Sequence, residues 1–280
     1  MRAAILLSFL LLAGCEERTG FEIRNLNGNR ISVLGHRGMG RDSKYPGNSF
    51  ESIAAVLEIG ADGSELDIRM TKDSVLVIFH DDELSPKTNC QGMLRELTWE
   101  EIKDCAYNNS PSPSYVISVD DLFSRIPDIR KYVFSFDCKL STSDDVRPVY
   151  FRQFVQALKR VIEKHGMHDR VLIEAGNAQF HQMLQNNDVP VLRFITGKEF
   201  EDALRIAGDL DLYGIGIGSR ITRKQIEEAH AKGFRVMTWT PRTPRANVKA
   251  IQKNPDFIQT DAPTHMLKVF GRYQVRSSEQ

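Results

Sequence analysis

The sequence predicts an α/β fold, a (β/α)₈ or TIM barrel with a β-hairpin insertion after its second strand. Eight short apolar segments alternate with helical patterns along the 280 residues, and such alternation indicates parallel strands joined by helices. Eight strand–helix units close a barrel, which takes about 250 residues. A ninth apolar segment follows the second too closely for a parallel crossover.

The eight segments have the length and composition of buried strands. They are residues 31–34, 63–68, 132–137, 171–175, 189–195, 212–217, 234–239 and 256–260. The clearest helix is predicted over 149–165, where apolar residues recur at helical spacing and Gly166 can end the helix. Asn48, Thr98 and Thr222 each precede a Glu or Gln by three residues, so each is predicted to open a helix with a capping box.

Only a short link that contains Thr71–Ser74 separates the ninth segment, residues 75–79, from the second strand. A parallel connection needs a dozen or more residues, so the segment is predicted to return antiparallel. A turn centred near Asp73 brings His80 to the level of Leu66. His80 is then expected beside Glu65 and Asp67 at the top of the barrel.

Composition predicts a single globular domain over residues 31–272, followed by a polar tail at 273–280. The chain is 41% hydrophobic, which permits a full core, and its 37 basic and 37 acidic residues give a formal net charge of zero. Nucleic-acid-binding proteins usually carry a basic surface stripe. No nucleic-acid partner is therefore predicted.

The N-terminus has the pattern of an export signal. Arg2 precedes an apolar run, residues 3–13, which is shorter than the ~20 residues of a membrane-spanning helix and suits a secretory signal. The run ends in Leu-Ala-Gly-Cys15, which resembles the lipobox of bacterial lipoproteins. The resemblance implies a signal peptide at 1–15, acylation of Cys15, a tether at 16–30, and membrane anchoring in a bacterial cell envelope. An ordinary secretory signal or a first barrel-capping helix is the alternative.

Three cysteines remain if Cys15 is acylated. Disulfides persist in exported proteins, and Cys90 and Cys105 flank one short segment. A bridge between them and two free thiols are both compatible with the sequence. No cysteine pair has zinc-site spacing, and Cys138 is expected to face outward from the barrel.

Carboxylates stand near the carboxyl ends of the predicted strands, where barrel enzymes place their active sites. Glu65 and Asp67 are two apart on one strand and point to the same face, and Asp137 ends the next parallel strand. Oxygen ligands of this kind suit Mg²⁺ or Ca²⁺. The alternative is a salt-bridge cluster with Arg37, Arg69 and Lys139.

Two histidines, His36 and His80, are also predicted at this end of the barrel. Hydrolysis of a phosphodiester needs a base and an acid near neutral pH, and histidine supplies both. Arg37 and Lys139 provide fixed positive charge for a phosphate. Residue types alone therefore indicate an acid–base site with a metal.

The motifs occur in an order that resembles the glycerophosphodiester phosphodiesterase family, whose pattern is H-R-G, P-E-N-T, G-x-D-x-x-E-x-D-V, T-x-D, H-D, E-x-K, W-T and T-D. Together the matching segments cover about residues 33–263. They are 35–38, 48–49, 60–67, 71–73, 80–81, 137–139, 239–240 and 260–261.

The resemblance implies an enzyme, a phosphoric diester hydrolase, that cleaves glycerophosphodiesters to glycerol 3-phosphate and an alcohol. It implies one divalent metal ion, Mg²⁺ or Ca²⁺, as cofactor. The implied roles are acid–base catalysis by His36 and His80, metal binding by Glu65, Asp67 and Asp137, and phosphate binding by Arg37 and Lys139.

Two positions depart from the family pattern, and a third has two interpretations. Gly47 replaces the Glu of P-E-N-T, and Asp137 replaces the Glu of E-x-K. Trp239 at a strand end can bind substrate, for example by stacking on a choline ammonium, or can be a core aromatic residue. The alternatives for function are headgroup cleavage of the lysophospholipase D or sphingomyelinase D type, and a catalytically silent binding lipoprotein.

Overall fold

The computed structural model describes residues 30–275 and shows a closed barrel of eight parallel strands surrounded by helices, which confirms the predicted fold class. Two further short strands, β3 and β4, extend the sheet antiparallel from the top of β2. The strands are β1 Ser32–His36, β2 Gly63–Met70, β3 Leu76–Ile78, β4 Ile117–Ser118, β5 Val133–Cys138, β6 Val171–Ala175, β7 Leu192–Ile195, β8 Gly214–Gly218, β9 Arg235–Trp239 and β10 Phe257–Thr260.

The barrel closes because β1 pairs in parallel with both β2 and β10. The helices are α1 Phe50–Glu58, α2 Trp99–Ile102, α3 Val119–Arg125, α4 Arg147–His165, α5 Ala178–Asn186, α6 Phe200–Asp209, α7 Arg223–Ala231, α8 Pro244–Gln252 and α9 Pro263–Val269. The eight predicted barrel strands are all present. The largest boundary error is at β7, which begins three residues late, after Pro190, because proline has no N–H for the sheet.

The predicted helix starts are confirmed at two of three positions. Thr98 and Thr222 form capping boxes, and α4 ends at Gly166 with φ 61°. The prediction for Asn48 was wrong. Ser49 is the N-cap of α1, and Asn48 lies in the left-handed region, with φ 68°, and turns its side chain toward the barrel.

The hairpin has the predicted direction and register. β3 pairs antiparallel with β2, with Ile68 opposite Ile78, and the N–H of Phe79 donates to the carbonyl of Asp67 at 2.9 Å. Continuing that register places His80 level with Leu66. The short return therefore brings a histidine to the carboxylates of β2.

Residues 79–116 form an insertion between β3 and β4 with a small apolar core of its own. The disulfide between Cys90 and Cys105 is present, with an S–S distance of 2.02 Å, and Cys138 is a buried free thiol that packs in the outer core. Closing a 15-residue loop stabilises a fold by about 3 kcal/mol in the chain-entropy treatment. The insertion is thus fixed rigidly above one side of the barrel mouth.

The barrel interior is apolar below and polar above. Side chains from five strands fill the lower layer, namely Leu34, Leu172, Phe194, Met237 and Phe257. Buried Ser135 and Gln259 each donate a hydrogen bond to buried Glu174 above Met237. The outer faces of the strands pack against the helices in a larger cluster, which includes Leu66 and Cys138 as the alternation of β2 and β5 predicted. Inside the barrel, the polar side chains therefore lie toward the carboxyl ends of the strands.

The ends of the chain fall partly outside the described residues. The predicted signal at 1–15 with Cys15, most of the tether at 16–30, and residues 276–280 of the tail lie outside them. The start of the predicted tail remains attached to the barrel, since the N–H of Gln274 donates to the carbonyl of Ile59 at 3.0 Å. Over residues 30–275, no helix has both the length and the apolarity to cross a bilayer.

Candidate active site

Three carboxylates from two neighbouring strands converge at the barrel mouth. Glu65 and Asp67 lie on β2, and the register of β2 with β5 sets Asp137 beside Asp67. One oxygen from each carboxylate lies within 4.8 Å of the other two. Glu65 and Asp67 are 2% and 1% exposed, so their charges are not compensated by water.

The two buried carboxyl groups have opposite electrostatic surroundings. Burial, followed by the charges of Asp67, Glu174 and Asp137, raises the pKa of Glu65 well above its usual range. Burial would also raise the pKa of Asp67, but Lys139, Arg37 and a hydrogen bond from Asn48 outweigh it and lower that pKa. Glu65 therefore has less positive counter-charge than Asp67, since Arg37 acts on both carboxyl groups whereas Lys139 acts on Asp67. A set of oxygen donors with this deficit fits a hard divalent cation.

Arg37 and Lys139 approach Asp67 from two sides. Nε of Arg37 lies 2.8 Å from one carboxylate oxygen of Asp67, and Nζ of Lys139 lies 2.8 Å from the other. The salt-bridge cluster considered as an alternative is thus present in part, with Arg37 and Lys139 as its cations. Arg69 is not a member, because its guanidinium pairs with Asp82 and donates to the carbonyl of His80.

His36 lies at the end of β1 between two carboxylates. Nδ1 is 2.7 Å from Oδ1 of Asp261, and Nε2 is 3.8 Å from Oε2 of Glu65. The hydrogen bond with His36 and the charges of His36 and Arg242 lower the pKa of Asp261 against the opposing effect of burial. An ionised Asp261 makes Nδ1 the hydrogen-bond donor, which leaves Nε2 directed at the carboxylate cluster.

His80 follows β3 and is held in a similar way. Nδ1 lies 2.5 Å from Oδ1 of Asp81, and the carbonyl of His80 accepts from Nε of Arg69 at 2.8 Å. Each of the two imidazoles is therefore oriented through Nδ1 by an aspartate. The structure brings all seven side chains predicted for metal, phosphate and proton transfer to one end of the barrel.

The turn after His36 has an unusual backbone. Arg37 has φ 55° and Gly38 has φ 92°, and a Cβ at Gly38 would lie 2.5 Å from the backbone carbon of Ser52. The N–H of Arg37 donates to Oε2 of Glu65 at 3.0 Å. Only glycine fits at residue 38. The left-handed conformation is costly for Arg37, but it directs the N–H of Arg37 at a buried carboxylate.

Comparison with known proteins agrees with this geometry. A family model described as the glycerophosphoryl diester phosphodiesterase family matches residues 36–265. The chain belongs to this family. Membership confirms the predicted enzyme class, a phosphoric diester hydrolase, and the family's name states the type of bond that is cleaved.

Individual relatives resemble the enzyme along most of its length. The glycerophosphodiester phosphodiesterase of Bacillus altitudinis is 23% identical over 241 residues, covering 85% of this chain and 97% of the relative. An Oleispira antarctica phosphodiesterase, solved in complex with the product sn-glycerol-3-phosphate, superposes with a TM-score of 0.73 at 17% identity, covering 86% of this chain and 96% of that one. A Parabacteroides distasonis glycerophosphodiester phosphodiesterase gives a TM-score of 0.73 at 21% identity, covering 86% and 98%. These structural likenesses support the fold.

Asn48 is a site residue that the sequence interpretation missed. Its Nδ2 donates to Oδ2 of Asp67 at 2.7 Å, and its Oδ1 accepts from the N–H of Asp67 at 3.3 Å. The asparagine therefore fixes the orientation of a carboxylate of the cluster. The signal was present in the Asn-Ser motif, but the nearby Glu51 made a capping box the simpler explanation.

We predict that Asn48→Gly lowers the affinity for a divalent cation about 10–100-fold, the usual cost of losing a group that orients a metal ligand. Glycine accepts the positive φ of residue 48, so the change removes the side chain without adding backbone strain. Calorimetric titration with Mg²⁺ and Ca²⁺ measures the effect. Asn254→Gly is the control, because Asn254 also has a positive φ, 61°, but precedes β10 at the opposite end of the barrel. Unchanged affinity in Asn48→Gly would contradict the role.

Trp239 lines a different cavity from Arg37 and His80. Its ring packs over β8, where a Cβ at Gly216 would approach it to 3.0 Å. It borders an open cavity of about 710 Å³ together with Arg220 and Arg242, whereas Arg37 and His80 line a different one. Substrate binding by Trp239 stays a prediction, and a headgroup beside His80 would occupy a different cavity.

Glu174 was also not singled out from the sequence. It lies on β6 among apolar residues, is buried, and accepts hydrogen bonds from Ser135 and Gln259. Burial, followed by the charge of Asp137, raises its pKa to about 8. A carboxyl that keeps its proton adds no further buried negative charge beside the cluster.

Proposed function

We propose that this enzyme hydrolyses glycerophosphodiesters to glycerol 3-phosphate and an alcohol, with one divalent metal ion and two catalytic histidines. The observation that carries the proposal is the placement of His36 and His80, each oriented by an aspartate, beside a cluster of three carboxylates. A phosphodiester between them meets a base, an acid and positive charge.

The histidines move protons in this reaction. One imidazole takes the proton of the attacking oxygen, which belongs to water or to the neighbouring glycerol hydroxyl. The bond between phosphorus and the alcohol oxygen breaks, and the other imidazole protonates that oxygen. If the glycerol hydroxyl attacks, water opens the cyclic phosphate afterwards. Asp261 and Asp81 stabilise whichever imidazole is positively charged.

Glu65, Asp67 and Asp137 would hold Mg²⁺ or Ca²⁺, which supplies Lewis acidity and neutralises charge on the phosphate. Arg37 and Lys139 border the same cluster and carry positive charge toward the phosphate oxygens. Both cations are themselves held by Asp67, so they occupy fixed positions and need not be ordered when substrate binds.

The test is an assay of glycerol 3-phosphate released from glycerophosphocholine and glycerophosphoethanolamine. The protein is the chain from Glu16 onward, with Ca²⁺, with Mg²⁺, or with chelator. Metal-dependent release is expected from at least one diester. No release with either metal would refute the proposal and direct attention to lysophospholipids, sphingomyelin or a binding role.

We further propose that the enzyme is exported and anchored to a membrane of a bacterial cell envelope through acylated Cys15. The Cys90–Cys105 disulfide supports this, because such bonds persist outside the cytosol. Metabolic labelling with a fatty acid, followed by membrane fractionation, is expected to show a labelled membrane protein. The same label and fraction in Cys15→Ala would contradict anchoring.

A further inference from the structure

A cavity of about 250 Å³ opens beside His80 at the barrel mouth. We call it the His80 cavity. Its walls include Arg37, Gly47, His80, Asp81, Lys87 and Tyr107. Arg37 and His80 belong to the catalytic cluster, whereas Lys87 and Tyr107 come from the insertion. The wall formed by the insertion therefore takes no part in the proposed proton transfers.

The insertion wall is rigid. Residues 87–89 run antiparallel to 106–108, and the N–H of Asn108 donates to the carbonyl of Lys87 at 2.9 Å. The Cys90–Cys105 disulfide closes the end of this pairing. Tyr107 also packs its ring 6.0 Å from the ring of Phe79, directly before His80. The backbone positions of Lys87 and Tyr107 are thus fixed relative to His80.

Tyr107 presents an unused hydrogen-bond donor. Its Oη is buried, and no described residue forms a hydrogen bond with it. Burial, together with the carboxylates of Asp67, Glu51 and Asp81, raises the pKa of Tyr107, so the phenol keeps its proton. A buried hydroxyl without a partner is costly. A ligand oxygen in the cavity would remove that cost.

The charged residues of the cavity walls differ in whether they have a partner. Arg37 is paired with Asp67, and Asp81 is hydrogen-bonded to His80. Lys87 is exposed, and among residues 30–275 it forms no salt bridge. Gly47 adds no charge at the place where the family motif carries Glu. The ammonium of Lys87 is therefore able to pair with an anionic group that enters this cavity.

We propose that the His80 cavity holds the alcohol portion of the substrate and that Lys87 makes the enzyme prefer alcohols that carry an anionic group. This inference rests on the proposed function and extends it to substrate choice. An alcohol bound here lies next to His80, which can protonate the leaving oxygen, while its anionic group meets the ammonium of Lys87. A quaternary ammonium headgroup would meet a like charge instead.

Glycerophosphoserine and glycerophosphoethanolamine provide the test, because they differ only by a carboxylate on the alcohol. The measured quantity is the ratio of their kcat/KM values. The native enzyme is expected to favour the serine diester about fivefold, the effect of one charge pair about 4 Å apart in water. Lys87→Met should bring the ratio close to one, and Lys87→Glu should reverse it. Lys103→Met is the control, since Lys103 lies on the same insertion but pairs with Glu100; its ratio should stay unchanged.

The other outcomes distinguish failure of this inference from failure of the proposed function. An equal ratio in the native enzyme and Lys87→Glu would overturn the inference while leaving the proposed function intact. An equal loss for both diesters in Lys87→Glu would also overturn it, and would place the shared glycerol in the cavity. Hydrolysis of neither diester, nor of any other glycerophosphodiester, by the metal-loaded native enzyme would refute the proposed function, and the inference with it.

Discussion

Alanine at His36 or His80 should lower kcat for glycerophosphodiester hydrolysis at least 10²-fold, because each substitution removes one partner of the proton transfer. Each imidazole is held through Nδ1 by an aspartate, which leaves the other nitrogen for the reaction. If the two histidines serve opposite ends of one displacement, the double variant should be little worse than the slower single variant. Steady-state kinetics with saturating metal measures the loss.

His168→Ala is the matched control, because His168 is exposed and lies just before β6, at the opposite end of the barrel. Its kcat should be native. A thermal melt of each variant separates lost chemistry from lost folding. Near-native turnover in either His36→Ala or His80→Ala would remove that residue from the proposed mechanism.

Glu65→Gln should abolish metal-dependent turnover and yet leave the metal-free protein at least as stable as the native one at pH 8. The pKa of Glu65 is raised in the folded state above its ordinary value of 4.5. The stability that the protonated carboxyl contributes is therefore present below pH 4.5 and is lost as the pH rises toward the folded-state pKa. Glutamine does not titrate, so the variant avoids this loss. It also lacks the charge that binds the metal.

Urea denaturation in chelator at pH 5 and pH 8 measures the stability difference, and the glycerol 3-phosphate assay measures turnover. The native protein should lose more stability between the two pH values than Glu65→Gln does. Glu163→Gln, an exposed position on α4, is expected to behave as native in both measurements. A metal-free Glu65→Gln protein that is clearly less stable at pH 8 would show that Glu65 is stabilised in its charged form.

A residue that is needed for turnover but lowers the stability of the metal-free protein is expected in a buried site that binds a ligand. The like charges of Glu65, Asp67 and Asp137 are held together by the register of β2 and β5. Arg37 and Lys139 offset the charge of Asp67. The negative charge of Glu65 is offset less than that of Asp67, and a bound cation would offset it.

Local sequence patterns predicted the fold and most of the site. The strand alternation, the short return to β3 and the same-face spacing of Glu65 and Asp67 each depend on geometry that neighbouring residues set. For this reason the register that brings His80 level with Leu66 was correct. The errors occurred where a residue could satisfy either a local pattern or a distant contact. At Asn48, the side chain binds Asp67 instead of capping α1.

The sequence by itself determined the barrel, the family and the set of chemical groups, because these follow from periodicity and from motifs of adjacent residues. Only the tertiary structure decided which groups act on each other across long separations. Asp261 orients His36 from 225 residues away, burial and the charge of Asp137 raise the pKa of Glu174 to about 8, and Lys87 joins His80 at one cavity. Burial and distance control these interactions, and both depend on how the whole chain closes around the barrel.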